Sequence, residues 1–201
     1  MTLLYCFGVT NQQVRKPLRA DAERTVRTIL DAAERVLSRD PAATMEQIAE
    51  AAGVARTTVH RRFATREALM EALNAWATEQ FGAAIDDAFS ETAPPLVVLH
   101  RATANVLRVK LDWGFAMNRA AASSDPEIAR VHADVQDKCG RVFIRAREEG
   151  LLRPDVDVEW ARRCYYALIH EVTQTGSPGD DVDALTTLIV DTLLNGLGKA
   201  A

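Results

Sequence analysis

From Asp21 onward apolar residues recur at spacings of three and four: Val26, Ile29, Leu30, Ala33, Val36 and Leu37. That stripe is one face of an amphipathic helix, and Asp40-Pro41 ends it. Thr44 then stands ahead of "MEQIAEAA", where its hydroxyl can accept from the free amides of a first turn. Met45, Ile48, Ala49 and Ala52 form the apolar side of this short helix. Gly53 is the only glycine between Gly8 and Gly82. It follows a helix directly, at the point where a chain needs a left-handed residue to turn. Ala55 to Phe63 forms a second short helix, and Thr65 caps a third, long one carrying Leu69, Leu73 and Trp76, with Phe81, Ile85 and Phe89 further along.

The remainder is punctuated in the same way. Pro94 and Pro95 sit where a first helical turn tolerates proline. In "SDPE", Asp125 is a cap, Pro126 the first helical position and Glu127 a charge near the positive end of the helix dipole. "EEGLLRPDVDVEWARR" breaks at Gly150 and restarts near Asp157. "GSPGDDVDAL" breaks again, and Leu185 to Leu197 is the last helix. The pattern predicts an all-α fold of about nine helices with no convincing strand. Its expected organisation is a tail or arm over residues 1–20, a helix-turn-helix module over 21–66 and a helical body over 67–201.

Composition narrows the class. The 201 residues are 48% hydrophobic, enough for a sizeable core, and the net charge of −4 does not indicate a generic nucleic-acid binder. The distribution says more. Residues 15–66 hold eleven Lys/Arg against seven Asp/Glu, and the rest hold thirteen against twenty-one. This is a basic module on an acidic body. Between Glu50 and Glu67 there is no acid and there are four arginines. Cys6, Cys139 and Cys164 form no CxxC pair, which fits reduced thiols in a cytoplasmic protein. No run reaches the roughly 18 apolar residues of a membrane span. The apolar start "MTLLYCFGV" lacks a basic region and a cleavage site, so no signal peptide is expected. Residues 1–14 read as a disordered tail or as the product of an upstream start codon.

On a helix of about 100° per residue, Val59 and Phe63 lie about 40° apart and face inward. Thr57, Thr58 and Arg61 cluster on the opposite side. His60 and Arg62 flank them, and Arg56 opens the first turn. The outer face is all donors and cations. Arginine can bond bidentately to guanine, threonine can reach a base or a thymine methyl, and both bind phosphate oxygens. A solvated basic surface helix has the same composition. The turn glycine, the apolar partner helix and the acid-free window together favour double-stranded DNA. "VRKPLR" reads first as a solvated tail, with an arm entering a minor groove as the alternative.

The stretch "TMEQIAEAAGVARTTVHRRFATREALMEAL" resembles the DNA-binding domain of the tetracycline-repressor (TetR) family of transcriptional regulators, over about residues 22–75. "EEGLLRPDVDVEWA" and "LTTLIVDTLLNGL" resemble the joint before, and the last helix of, that family's effector domain. Residues 90–145 show no specific match. The resemblance implies a homodimeric regulator, by default a repressor, bound to a palindromic operator and released by a small-molecule effector. It implies a phosphate contact for Thr44, base or backbone contacts for Arg56, Thr57 and Thr58, and base or phosphate contacts for Arg61 and Arg62. His60 stands where the family usually has tyrosine, and Arg66 where a phosphate-binding lysine is common. The lever joining the two parts would be the long helix from Thr65.

For the effector pocket the sequence offers His100, Trp113, Phe115, Met117, Phe143, Tyr166 and His170, with Tyr165, Asn105, Asn118 and Gln174 as further candidates. No buried acids can be placed to hold a cation, so a moderately apolar, neutral or aromatic ligand is favoured. Leu185, Leu188, Ile189, Thr192, Leu193 and Leu197 give the last helix a wide apolar face, which suits a dimer or packing inside the monomer.

Catalysis is not expected. None of the four histidines (His60, His100, His132, His170) has a glutamate three residues before it, so helical di-metal sites lack their motif. His170-Glu171 does not continue into HExxH. Cys164 and His170 lie about 120° apart on one helix, and His132 and Cys139 are roughly 10 Å apart along another, so no Cys–His pair forms. No phosphate loop is present, and no metal or cofactor is expected. The rival class is a helical protein-binding adaptor without DNA affinity.

Overall fold

The computed structural model describes residues 15–176 and 179–197. The expectations placed on residues 1–14, Cys6 included, fall outside the described residues, as do the side chains of residues 15–19 and of Leu197. Among the described residues there are nine helices: α1 (Arg15–Leu37), α2 (Met45–Ala51), α3 (Arg56–Arg62), α4 (Arg66–Ala88), α5 (Pro95–Asp112), α6 (Gly114–Ala121), α7 (Pro126–Glu148), α8 (Val158–Thr175) and α9 (Val182–Leu197). The chain divides into two compact units between Leu69 and Met70.

In the first unit α1 packs on α2 and α2 on α3. The stripe read from the sequence is the buried one: Ile29, Leu30, Ala33 and Leu37 lie inside with Met45, Ile48, Val59, Phe63 and Leu69. The first helix starts at Arg15, six residues before Asp21, where the helical pattern is expected to begin. Pro17 falls in its first turn, where a missing N–H costs nothing. The basic stretch is therefore helical from Arg15. Thr44 caps α2 with a full capping box. Its Oγ1 accepts from the Gln47 amide at 3.3 Å, and the Gln47 side-chain carbonyl accepts from the Thr44 amide at 2.7 Å. Gly53 takes φ 66°, the left-handed turn that separates α2 from α3. A Cβ there would meet nothing within 4 Å, so the position asks for glycine through the backbone alone.

The second unit contains the rest of α4 and helices α5 to α9. Helix α5 packs against α7, α8 and α9, and α8 against both α7 and α9. Its core includes Leu107, Phe143, Leu152, Tyr165, Ile189 and Leu193. The expected caps are in place: Asp125 accepts from the Glu127 amide and Asp157 from the Trp160 amide, while Gly150 turns with φ 77°. Helix α9 begins at Val182, three residues earlier than the apolar pattern, because the Asp181 carboxylate accepts from the Asp183 and Ala184 amides. Its wide apolar face divides: Ile189 and Leu193 are buried, while Leu188 is 57% exposed. Asn105 ties α5 to α4 by donating to the Ala84 carbonyl and the Asp87 carboxylate, both at 3.1 Å.

One buried polar pair crosses this core. The Thr103 hydroxyl donates to the Leu99 carbonyl at 2.7 Å, which leaves its oxygen to accept from the Tyr165 hydroxyl at 2.8 Å. Burial pushes the Tyr165 phenol above its usual pKa range.

Two stability effects are expected in urea unfolding of the full chain. Gly53→Ala should cost about 1–2 kcal/mol and Gly53→Asn less, because asparagine tolerates the left-handed region better than alanine. Thr103→Val should cost about 1–3 kcal/mol by leaving the Tyr165 hydroxyl without an acceptor, and Thr103→Val with Tyr165→Phe should recover much of that loss. A double variant no better than the single one would place the cost in packing instead.

Candidate nucleic-acid interface and ligand cavity

Helix α3 has seven residues and two tasks. Val59 is fully buried and Phe63, its C-cap, is 6% exposed, so these two hold the helix down. Arg56, Thr57, His60, Arg61 and Arg62 are exposed and Thr58 is half-buried. The structure therefore gathers on one short helix the donors that the sequence placed there. Arg61 and Arg62 form no ion pair among the described residues. They stand in the last turn with His60, where positive charge also suits the helix dipole.

Arg56 is tied back. Its Nε donates to Glu46 of α2 at 2.7 Å and reaches His60 Nε2 at 3.4 Å. A backbone hydrogen bond holds the Glu46 carboxyl below the usual carboxylate range, and Arg56 and His60 reinforce the shift. Thr44, exposed at the start of α2, sits beside this pair. Arg66 is held against its own unit. Its guanidinium donates to the Pro41 carbonyl at 2.7 Å and to the Ala43 carbonyl, fastening the α1–α2 loop to the first residue of α4. Thr65 caps α4 by accepting from the Ala68 amide at 3.1 Å.

In the second unit five helices enclose a cavity of about 340 Å³. Helix α4 contributes Phe81 and Ile85, and α5 contributes Val106 and Lys110. Met117 and Asn118 come from α6, His132, Gln136 and Cys139 from α7, and Tyr166 and His170 from α8. Of the sequence candidates, Met117, Tyr166 and His170 meet here, together with Tyr165 and Asn118. His100, Trp113, Phe115 and Phe143 do not line it. His100 lies six residues before Val106, about 120° around α5. Trp113 lies edge-on to Trp76, with ring centroids 6.3 Å apart. Phe143 is fully buried against Tyr165, with centroids 5.5 Å apart.

Sequence reasoning passed over Lys110 and His132. Burial pushes the Lys110 ammonium below its usual range. Burial, and then the nearby Lys110, push the His132 imidazole down as well. His132 Nε2 is enclosed and makes no hydrogen bond. A signal existed. Lys110 continues the buried stripe of Thr103, Val106 and Leu107, and His132 precedes Val135 and Cys139 on the buried side of α7.

Among the described residues no group of three or more His, Cys, Asp or Glu is placed to hold a metal, and no helix is long and apolar enough to cross a membrane. The free thiols there are Cys139, buried, and Cys164, half-buried.

Comparison with known proteins bears on both units. The family described as "Bacterial regulatory proteins, tetR family" matches residues 29–73. The HTH-type transcriptional repressor LfrR of Mycolicibacterium smegmatis is 36% identical over 181 residues, spanning 86% of this chain and 92% of LfrR. The crystal structure of the TetR-like regulator LfrR from Mycobacterium smegmatis in complex with proflavine superposes with a TM-score of 0.65. It shares 30% identity and covers 89% of this chain and 99% of that one. The ketosteroid transcriptional regulator KstR2 of Mycobacterium tuberculosis shares the fold, with a TM-score of 0.73 at 20% identity over 87% of this chain and 95% of its own. The capped α2, the left-handed Gly53 and the donor face of α3 lie within the matched segment. The chain belongs to the TetR family of bacterial regulatory proteins, DNA-binding transcriptional regulators rather than enzymes.

Proposed function

We propose that this protein is a cytoplasmic homodimeric repressor that holds a palindromic operator through α3 and lets go when a small molecule fills the α4–α8 cavity. In this reading residues 21–66 are the DNA-binding module, and residues 67–201 are the ligand-binding and dimerisation body. The observation that carries it is the outer face of α3. Arg61 and Arg62 are exposed there, with no ion pair among the described residues, on a helix held from behind by Val59 and Phe63. Arg56, Thr57 and Thr58 join them on bases or backbone, and Thr44 and His60 contact phosphates. Arg66 adds a phosphate contact with the N–H donors its loop carbonyls leave over.

A dimer follows from the size of the reader. One seven-residue helix spans only a few base pairs, and two half-sites about one helical turn apart multiply its selectivity. The exposed Leu188 of α9 and Trp160 of α8 offer apolar surface for such a partner. Release is linkage. A ligand that prefers the conformer with mis-spaced half-sites weakens DNA binding by its differential affinity, on the order of 1–3 kcal/mol. Helix α4 is the lever, since it starts at Arg66 and also carries Phe81 and Ile85 of the cavity wall. That LfrR was solved in complex with proflavine supports a small-molecule ligand for this chain.

Selecting bound duplexes from a random pool should enrich a palindrome. Titrating the enriched site by anisotropy at two salt concentrations should then show that Arg61→Ala with Arg62→Ala weakens binding at least about tenfold. The salt slope should fall by about one for each phosphate that the variant no longer neutralises. A variant that binds as the parent does, or a parent with no salt-dependent DNA affinity, would favour the protein-binding adaptor.

His60 gives a second test. His60 is exposed on the outer side of α3 and offers a ring nitrogen to Arg56. His60→Phe should weaken operator binding at least about twofold by removing a hydrogen-bonding ring from the face. Unchanged affinity in His60→Phe would remove His60 from the interface.

A further inference from the structure

The second unit treats its partly buried cations alike, with one exception. Lys138, whose side chain is 17% exposed, pairs with Asp86 and Asp134. Arg162, at 18%, pairs with Glu159. Arg145, at 20%, reaches Glu149 and also donates to the Ser90 and Ala93 carbonyls. Lys110 is similarly half-buried, yet it forms no ion pair among the described residues, and no Asp or Glu lines the cavity it faces. The charge-bearing group that it does influence is His132, whose enclosed Nε2 makes no hydrogen bond. The fold therefore brings basic side chains from α5, α7 and α8 (Lys110, His132 and His170) to one chamber whose lining holds no carboxylate. Burying a charge without a partner is costly, and an anion entering with the ligand offsets part of that cost.

We infer that the cavity is built for a small apolar carboxylate, with its anionic head between Lys110 and His132 and its hydrocarbon or aromatic body against Phe81, Ile85, Val106 and Ile169. The inference rests on the effector-cavity reading and adds the ligand's charge to it. A volume of about 340 Å³ suits a compact ligand. Those four residues provide the apolar wall, and Lys110 supplies up to three donors to the head group. A planar aromatic cation such as proflavine meets the opposite of what it needs: three basic side chains and no carboxylate. This differs from the sequence expectation of a moderately apolar, neutral or aromatic ligand, which left Lys110 out of the pocket.

The test is calorimetric titration of the full chain with three probes of similar aromatic body: 2-naphthoate, the neutral 2-naphthalenemethanol and the cation proflavine. The naphthoate should bind at least about tenfold tighter than the alcohol, since a hydrogen bond to a charged group is worth that much or more. Lys110→Met should erase the preference for naphthoate over the alcohol while leaving alcohol binding in place. Lys110→Arg should restore a preference for the anion. Cooperative thermal melting of each variant, compared with the parent, separates a lost charge from a lost fold. Should Lys110→Met not melt cooperatively, the Lys110→Arg variant and the three-probe ranking on the parent decide. Tighter binding of proflavine or of the alcohol by the parent would overturn the anion assignment and leave the effector-cavity reading standing. An unchanged naphthoate-to-alcohol ratio in a folded Lys110→Met chain would do the same. Failure of a folded parent chain to bind any of the three would overturn both.

Discussion

A helix of seven residues cannot hold itself together in water. Helix α3 exists because Val59 and Phe63 are pinned in the first unit's core and because the chain enters it through a left-handed glycine. Those constraints decide everything on its other face. With two residues committed to packing and one turn committed to glycine, Thr57, Arg61 and Arg62 have no structural debt and face water. The capping box at Thr44 does the equivalent for α2, fixing where that helix starts and so where Glu46 stands when it draws Arg56 back. The exposed donor face of α3 is thus the remainder left after a small core and two turn devices are satisfied.

Arginine serves opposite ends in this chain, and the difference lies in what surrounds it. Arg66 and Arg145 each fasten a loop by donating to two main-chain carbonyls, Pro41 and Ala43 for one and Ser90 and Ala93 for the other. Carbonyls that no helix or sheet uses need donors, and a guanidinium provides two in a fixed fork. Among the described residues Arg61 and Arg62 donate to no such carbonyl and keep their forks open. Counting arginines therefore overstates how many open forks the basic run carries. Arg66 belongs to the same basic run as Arg61 and Arg62, yet its guanidinium is turned toward its own unit's backbone.

Local chemistry was legible in the residues because it acts over three or four positions. Thr44, Gly53, Asp125, Gly150 and Asp157 all stand where the order of apolar and punctuating residues put them. The clamp of Arg66 joins residues 23 and 25 positions apart, and no local pattern reports it. The cavity is harder still, since it needs five helices to converge. Residue type alone favoured aromatics, and of these Tyr165 and Tyr166 line the cavity, while Trp113 and Phe143 pack on Trp76 and Tyr165. Position was the better guide. A lysine on the same stripe as Val106 and Leu107 is out of place in a core, and that misfit marks the chamber more sharply than the tryptophan did.

The two units also differ in how tightly relatives constrain them. The DNA-binding module depends on caps, a turn and two buried anchors, all set by short-range rules, so family membership carries over to it directly. The chamber depends on which few side chains project from long helices whose packing tolerates exchange. A single replacement on a buried stripe can reverse the charge a chamber prefers without disturbing the fold. Proflavine bound to LfrR therefore does not fix the ligand charge of a chain that is 36% identical to it. That property belongs to Lys110 and His132, and to the absence of any acid in the lining around them.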